Sequence, residues 1–311
     1  MAEIRIEDIN KTARENPESL ISAAEDSYHA TISQIADSIC DSGKVRVIFL
    51  SGPSGAGKTT TANLLSDYIK ARIGECMVVS LDDFYRNADD PAYPRYENGE
   101  RNFEAIEALD LPILAKTLSD IAAGNAFSVP KYDFKVGGRV QTREYDAIKK
   151  GCVIIEGLHA LNPLVFSTIP DENAFKIFIS VSTNVTRRGD RILSGRKIRF
   201  VRRMIRDSLY RGATAQRTLD FWDGVLHGED RYLYPTRKYA DVNINTFHPF
   251  ELSVMRPFAL RLISEEFAER EPYAKTVLNA IKRVEPVDIN LVPQDSLIRE
   301  FIPGGKYEHL Y

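Results

Sequence analysis

The sequence is poor in cysteine and has no long uninterrupted apolar run. Its 311 residues include three cysteines, and the wide separation of Cys40, Cys76 and Cys152 excludes a disulfide framework and the spacing of a zinc site. A transmembrane helix needs about 18 consecutive apolar residues, and no stretch approaches that length. The charged first residues also lack the apolar segment of a signal peptide. We therefore expect a cytoplasmic protein with no membrane partner.

The sequence also lacks a strong net charge, internal repeats and low-complexity tracts. Its formal net charge is -3 at pH 7, which argues against a dedicated nucleic-acid-binding protein. Hydrophobic residues make up 43% of the chain, enough to bury one large core. We expect a globular protein that acts on a small molecule and forms a homo-oligomer, although no sequence signal determines the oligomeric state.

Short, apolar, β-branched runs alternate with helical patterns from residue 45 onward. This alternation predicts an α/β fold in which helices cover both faces of a parallel sheet. The helix after the first strand ends at Gly74, and a second helix begins at Asp110 and ends at Gly124, all residues typical of helix termini. The predicted strands are residues 45–50, 77–81, 152–155, 175–181 and 241–245.

The chain divides into a core domain with an extension at each end. We place the core domain at residues 44–266. Residues 1–43 have the pattern of an amphipathic helical extension, and residues 267–311 form a mixed, proline-containing C-terminal extension. The sequence indicates no role for either extension.

The first predicted strand leads into G-P-S-G-A-G-K-T, residues 52–59, and then into a helix. This is the phosphate-binding P-loop pattern in its expected context, so the fold is of the P-loop NTPase type. Glycines permit positive φ, so that backbone N–H groups can face phosphate oxygens at a helix N-terminus. We expect Lys58 to reach the β- and γ-phosphates of ATP and the Thr59 hydroxyl to bind Mg²⁺. The predicted nucleotide-binding residues are Gly52, Ser54, Gly55, Ala56, Gly57, Lys58, Thr59 and Thr60.

A P-loop by itself indicates only that a nucleoside triphosphate binds. The N-K-x-D motif with which GTPases recognise guanine is absent. The nearest approach to the L-S-G-G-Q motif of transport ATPases, at residues 193–197, lacks the second glycine. A small-molecule kinase, or a degenerate relative of one, is the remaining class.

Two adjacent carboxylates, Asp82 and Asp83, follow the second predicted strand. In a parallel P-loop sheet, ligands lie beyond the carboxyl ends of the strands. Phosphoryl transfer needs a group there that orients the attacking hydroxyl and takes its proton. Neighbouring residues of an extended segment point to opposite sides, so we expect only one of the two to face the acceptor. A solvated pair at the start of a loop is the alternative.

Seven segments in order resemble the uridine-cytidine kinase family, within the group that contains phosphoribulokinase and pantothenate kinase. The resemblance implies ATP-dependent phosphorylation of a nucleoside 5′-hydroxyl, with Asp82 as catalytic base, Asp83 as a bystander and Tyr85 in the nucleoside pocket. It covers about residues 45–266. The segments are GPSGAGKTT, SLDDFY, NFEAIEALD, VPKYDF, VIIEG, RRMIRDSLYRG and TRKYADVNIN.

Further site residues follow from the residue pattern and from the resemblance. Glu156 ends a buried strand, as a Mg²⁺-binding acid of the Walker B type does, although a salt bridge at the sheet edge is an alternative. The resemblance implies that Glu104 binds ribose hydroxyls, where the family usually has Asp, and that Tyr132 and Phe134 surround the nucleobase. Core packing is the alternative for these aromatic residues. Arg139 is a candidate for substrate contact or for an ordinary surface position.

Residues 187–211 contain ten basic and two acidic residues. A solvated helix face, a nucleic-acid patch and a mobile lid over phosphates are the three interpretations. The resemblance favours a lid at about residues 187–217 and implies phosphate contacts for Arg203, Arg206 and Arg211. We assign Arg203 and Arg206 to catalysis together with Lys58 and Asp82, and Arg203 also to the substrate.

The sequence departs from the family pattern at three places. Gly137 replaces the histidine that reads the nucleobase, which puts pyrimidine selectivity in doubt because a polar contact discriminates more strongly than apolar shape. Ala213 replaces an arginine after the lid helix. About ten additional residues, 188–199, are expected to form a loop. A kinase for another hydroxylated metabolite, and a non-catalytic ATP- or RNA-binding relative, therefore stay open as alternatives.

Overall fold

Five parallel strands form the central sheet of the computed structural model, which describes residues 2–97 and 99–310. Each strand begins and ends within two residues of its predicted position, so the predicted α/β fold with a parallel sheet is confirmed. The P-loop strand β2 lies in the middle and is buried throughout, as a strand covered on both faces should be. The strands in sheet order are β10 (Val242–Asn245), β7 (Ala174–Ser180), β2 (Val47–Ser51), β6 (Gly151–Glu156) and β3 (Glu75–Ser80).

Helices cover both faces of this sheet. Along β2, Ile48 and Leu50 belong to one hydrophobic core, whereas Val47 and Phe49 belong to the other, because successive side chains of a strand point to opposite faces. The α-helices are α1 (Ile6–Glu15), α2 (Pro17–Ser42), α3 (Lys58–Ile73), α4 (Leu111–Ala123), α5 (Pro163–Phe166), α6 (Gly195–Tyr210), α7 (Ala215–Gly228), α8 (Glu251–Leu262), α9 (Glu265–Arg270) and α10 (Pro272–Ile281). Helices α2, α3, α6, α8 and α10 build the first core and α4 contributes to the second.

The predicted ends of helices α3 and α4 agree with the structure. Asp110 caps α4 by accepting a hydrogen bond from the Ile113 N–H group. Gly124 ends α4 with a φ of 69°, and Gly74 ends α3 with a φ of 97°. Glycine suits these positions because a side chain would strain the backbone at positive φ.

Two smaller sheets lie outside the central one. The antiparallel hairpin of β4 (Phe127–Asp133) and β5 (Gly138–Tyr145) was not expected from the sequence. The second sheet joins β1 (Ala2–Arg5), β8 (Thr183–Arg187) and β9 (Asp190–Leu193). It corrects two predictions, because the N-terminal extension begins with a strand, and residues 188–199 form β9 and the start of α6 where a loop was expected. Strand β1 forms only because β8, about 180 residues later, offers it hydrogen-bonding partners.

Both extensions pack against the core domain. The Tyr28 hydroxyl of α2 hydrogen-bonds the Thr61 hydroxyl of α3 at 2.7 Å. The Ser296 hydroxyl of the C-terminal extension donates to Glu25 of α2 at 2.5 Å. The two extensions therefore meet beside the helix that begins at the P-loop. None of the helices in the described ranges combines the length and the apolar character that a bilayer span requires.

Candidate active site

The P-loop connects β2 to α3 and has the backbone geometry that its glycines predict. Gly55 and Gly57 have φ values of 72° and 91°, in the left-handed region that favours glycine. A Cβ atom at Gly52 would lie 2.6 Å from the Ile179 carbonyl oxygen. The loop therefore passes too close to its neighbours for larger residues and is held in the shape of a phosphate cradle.

An anionic group already lies at the N-terminus of α3. The backbone N–H and the hydroxyl of Thr60 both donate to one carboxylate oxygen of Glu300, at 3.2 and 3.1 Å. A carboxylate oxygen presents the same lone pairs as a phosphate oxygen, so this contact shows that the helix N-terminus accepts an anion. The residues of the loop thus fit the phosphate groups of a nucleotide.

Helix α6 packs directly behind the P-loop. Arg199 donates to the Ser54 carbonyl oxygen at 2.8 Å and to both carboxylate oxygens of Glu229 at 2.6 and 2.7 Å. Arg202 donates to the Gly55 carbonyl oxygen at 3.2 Å and forms a bidentate pair with Glu251 at 2.5 and 3.0 Å.

The two arginines behind the loop are 1% and 0% exposed. Buried carboxylates hold both guanidinium groups against the loop backbone, so a solvated helix face is excluded for Arg199 and Arg202.

Three other arginines gather around the buried carboxylate of Asp207 in α6. Arg206, Arg203 and Arg211 approach its carboxylate at 2.8, 3.3 and 3.5 Å. Arg203 also donates to the Ser54 hydroxyl at 2.9 Å. The pKa of Arg211 is lowered, chiefly by the neighbouring charge of Arg206. One carboxylate thus faces three positive charges, and an incoming anion would relieve the repulsion among them.

Asp82 lies in the short helical turn that follows β3 and is exposed to the cleft. The surrounding protein displaces much of its solvent and raises its pKa, and the nearby charge of Lys58 is the largest effect that opposes this rise. Arg211 and Arg206 act in the same direction as Lys58. Asp82 and Lys58 therefore lie near enough to interact electrostatically, although they follow different strands.

Asp83 points away from this cleft. Its carboxylate accepts hydrogen bonds from Arg143 at 2.6 Å and from the Tyr132 N–H group at 3.3 Å, and Lys131 lies 3.2 Å away. All three partners belong to the β4–β5 hairpin. Asp83 thus attaches this hairpin to the end of β3.

Glu156 ends β6 next to β3 and is 7% exposed. Burial raises its pKa to about 7, while the charge of Lys58 opposes the rise. Thr59, the other predicted Mg²⁺ ligand, is half-buried in the first turn of α3. Mg²⁺ in kinases is commonly held by one or two carboxylates together with substrate phosphates. A hydroxyl and a carboxyl at the end of the P-loop fit that donor set.

The predicted aromatic residues of the acceptor pocket form one cluster. The ring centroids of Tyr85, Tyr132 and Phe134 are 5.0 to 5.7 Å apart. Phe134 is 59% exposed, whereas Tyr132 is 4% exposed. Phe134 can therefore cover a ligand, and Tyr132 mainly supports the cluster from beneath.

Arg139 and Glu104 occupy different positions around this cluster. The guanidinium group of Arg139 donates to the Tyr85 carbonyl oxygen at 3.2 Å and to Asp110 at 2.9 Å, so it links β5 to the start of α4. Burial raises the pKa of Glu104 to about 7, and the charge of Arg203 opposes the rise. Glu104 packs closely on Gly228, where a Cβ atom would lie 2.9 Å from the Glu104 Cβ.

His159 was not among the predicted site residues. It is 4% exposed, and neither ring nitrogen has a hydrogen bond of normal geometry. Burial lowers its pKa to about 4, and a contact with the backbone of Glu104 opposes this change. His159 therefore lies neutral beside the predicted sugar-binding acid. The sequence signal that could have identified His159 is its position three residues after Glu156.

Glu229, Glu251 and Glu300, which hold the P-loop and its arginines, were not predicted. Each lies far along the chain from its partner. No local motif connects Glu300 to Thr60, 240 residues earlier.

The model of the phosphoribulokinase/uridine kinase family matches residues 47–252, more than half of the chain. A uridine kinase of Borrelia garinii subsp. bavariensis is 27% identical over 200 residues, covering 64% of this chain and 85% of the relative. The uridine-cytidine kinase A of Dictyostelium discoideum is 30% identical over 199 residues, covering 63% of this chain and 35% of the relative. A solved structure of a possible uridine kinase from Bacillus stearothermophilus has a TM-score of 0.42 and 18% identity, covering 67% of this chain and 96% of that one.

Proposed function

The chain belongs to the phosphoribulokinase/uridine kinase family, and on this premise we propose that it is an ATP-dependent kinase for a nucleoside 5′-hydroxyl. Uridine and cytidine are the first candidates for the acceptor. The observation that carries the proposal is that Asp82 follows β3 and Lys58 begins α3 after β2, at the carboxyl ends of parallel strands, where the charge of Lys58 acts on the pKa of Asp82. A carboxylate and a P-loop lysine in one cleft are what phosphoryl transfer to a hydroxyl requires.

Asp82 is the proposed catalytic base. It would accept a hydrogen bond from the acceptor hydroxyl, orient it toward Lys58 and take its proton as the new bond forms. Lys58 and the N-terminus of α3 would hold the phosphates in line with that hydroxyl. Bound Mg-ATP would supply the phosphoryl group and a metal charge that neutralises the phosphate oxygens.

Thr59 and Glu156 are the proposed metal-binding residues. Glu156 must be ionised to bind Mg²⁺, and its raised pKa means that metal binding should strengthen as the pH rises through about 7. Arg203, Arg206 and Arg211 would stabilise the charge that develops on the transferred group. The predicted lid at about residues 187–217 stays a proposal, and its helix α6 is anchored through Arg199 and Arg202.

Another hydroxylated metabolite is the second candidate acceptor, and Gly137 is the observation that favours it. Gly137 has a φ of 73°, and a Cβ atom there would lie 3.2 Å from the Ala88 Cβ. A histidine at this position would be strained, so a base-reading side chain cannot simply be restored. The longer Glu104 at the predicted sugar position also favours a different hydroxyl arrangement.

The test is a screen of ATP consumption against nucleosides, sugars and polyols. We expect turnover with uridine or cytidine and formation of ADP and the nucleoside monophosphate. Turnover with a non-nucleoside alone would replace the first candidate with the second. Salt-sensitive RNA binding without phosphoryl transfer to any acceptor would contradict both.

The variant Asp82→Asn tests the proposed base. We expect turnover to fall by about 10²–10⁴-fold, because the hydroxyl loses its proton acceptor, with nucleotide binding little changed. The matched control is Asp89→Asn, since Asp89 is exposed on the following loop and should retain full turnover. Near-normal turnover in Asp82→Asn would remove the assignment.

A further inference from the structure

The C-terminal extension places a short helical turn, Leu297–Glu300, against the P-loop. Its last residue, Glu300, accepts the two hydrogen bonds from Thr60 at the N-terminus of α3. P-loops use the backbone N–H groups at this helix N-terminus to bind nucleotide phosphates. Glu300 is 4% exposed. A buried carboxylate of the chain itself therefore occupies donors that a phosphate group would need.

The charge of Glu300 is less well neutralised than that of Glu229, the carboxylate at the other end of the P-loop. Glu229 accepts the Ser54 N–H at 3.0 Å and is paired with Arg199 through two short hydrogen bonds. The nearest cation to Glu300 is Arg206 at 3.9 Å, and Arg206 already binds Asp207 at 2.8 Å. Glu300 thus has the features of a replaceable anion, and Glu229 those of a permanent structural one.

The segment that carries Glu300 packs into the first core, where Leu297, Ile298 and Phe301 are 0% exposed. Leu297 lies over Gly57, where a Cβ atom would be 2.7 Å from the Leu297 Cδ1. Ser296 binds Glu25 of α2. The Arg299 guanidinium holds the turn together from within, through the Val292 and Ile289 carbonyl oxygens at 2.6 and 2.9 Å. The backbone of the turn is therefore held in place, and Glu300 can leave Thr60 by rotation of its own side chain.

We propose that Glu300 is an internal competitor of the nucleotide, which occupies the phosphate-binding end of α3 until a nucleotide displaces it. The proposal rests on the proposed function only in that a nucleotide binds at the P-loop. A triphosphate and an unneutralised carboxylate repel each other strongly where solvent is scarce. Each nucleotide that binds must therefore move Glu300 aside, and its affinity is lower than the loop alone would provide. The C-terminal extension would set the nucleotide concentration at which the protein becomes occupied.

Calorimetric titration with ADP tests the proposal without any acceptor. The variant Glu300→Gln keeps the size of the side chain and removes its charge, and we expect it to lower the Kd for ADP by about 10-fold or more. Inorganic tripolyphosphate should show the same gain, because the competition concerns phosphate groups. The matched control is Glu269→Gln, since Glu269 is exposed on α9. Unchanged or weaker binding of ADP by Glu300→Gln would overturn the proposal.

Hydrogen exchange of the unaltered protein provides a readout that does not depend on any variant. If ADP displaces Glu300, the amides of residues 294–302 should exchange faster when ADP is bound. Slower or unchanged exchange there would show that Glu300 supports the nucleotide site, and the proposal would fall. Failure of both the wild-type chain and Glu300→Gln to bind ADP would also overturn it. An acceptor screen without product, alongside tight ADP binding, would instead contradict the proposed function alone.

Discussion

Different interactions stabilise the two sides of the candidate active site. The nucleotide side comprises the P-loop, α6, Glu229 and Glu251. Here the arginines of two buried ion pairs bind the loop backbone. On the proposed acceptor side, which comprises residues 85–97, 99–104 and the β4–β5 hairpin, aromatic rings pack on one another, the ion pair of Arg143 with Asp83 is partly exposed, and Phe134 is largely open to solvent. The P-loop is thus held by buried ion pairs, while the proposed acceptor wall is more exposed and can vary with little cost to stability. Such a division suits a family in which one phosphoryl-transfer site serves different acceptors.

The variant Arg202→Met should produce the largest loss of stability. It leaves Glu251 buried without its partner, and we expect the free energy of unfolding to fall by about 3–5 kcal/mol. The counterpart on the acceptor side is Arg143→Met, whose pair with Asp83 is partly exposed at the arginine. That change should cost about 1 kcal/mol, because Lys131 still neutralises Asp83. Chemical denaturation measures both, and equal losses would contradict the comparison.

The variant Glu156→Gln should stabilise the nucleotide side in a pH-dependent manner. Folding raises the pKa of Glu156 from 4.5 to about 7, so its ionised form is disfavoured in the folded state. This cost is absent below about pH 4.5, grows as the pH rises and is complete above about pH 7. We expect Glu156→Gln to raise the free energy of unfolding by about 3 kcal/mol at pH 8 and by little at pH 5.

Thermal unfolding of Glu156→Gln at several pH values measures this gain, with the exposed Glu172→Gln as control. Turnover of Glu156→Gln should fall at the same time, because the proposed metal contact is lost. A gain that does not change with pH would show that ionisation of Glu156 is not its cause.

The variant Gly57→Ala should have an intermediate effect. The φ of 91° is strained for alanine, and the added methyl group would meet Leu297 at 2.7 Å. We expect a loss of stability of about 1–3 kcal/mol together with weaker nucleotide binding. Gly74→Ala is the control for strain alone, since Gly74 also has positive φ but has no neighbour within 4 Å of a Cβ atom. If both variants bind ADP alike, the contact with Leu297 has no influence on the loop.

The variant Phe134→Ala should have the smallest effect on stability. Phe134 is exposed, so the free energy of unfolding should change by less than about 0.5 kcal/mol. Because the ring is proposed to cover the acceptor, KM for the acceptor should rise several-fold while KM for ATP stays the same. Phe221→Ala is the control, since Phe221 is equally exposed on α7. A rise in KM for ATP instead would place Phe134 on the nucleotide side.

Local patterns were sufficient for the P-loop, the five parallel strands and the caps of α4. Each depends on residues that are adjacent in sequence, such as the glycines before Lys58 or the Asp110 cap. The surroundings of the arginines in α6 were harder to predict, because the spacing of the apolar residues between them showed only that the segment is a helix. Whether Arg202 faces solvent or Glu251 depends on a carboxylate 49 residues away. The β4–β5 hairpin was not predicted, because the residues of β5 are mostly polar. The hairpin is held in place by Asp83, which lies outside it.

The sequence by itself determined the chemistry that we propose for the chain, because a phosphate-binding turn and the acid at the end of the next strand are encoded in short, contiguous motifs. Only the tertiary structure decided which carboxylates contact the P-loop and the arginines behind it. Glu229 and Glu300 reach the P-loop, and Glu251 reaches Arg202 behind it, only when the sheet has formed and the C-terminal extension has packed against α3. The physical reason is that charge pairing and desolvation depend on distance in space, whereas a sequence motif records only distance along the chain.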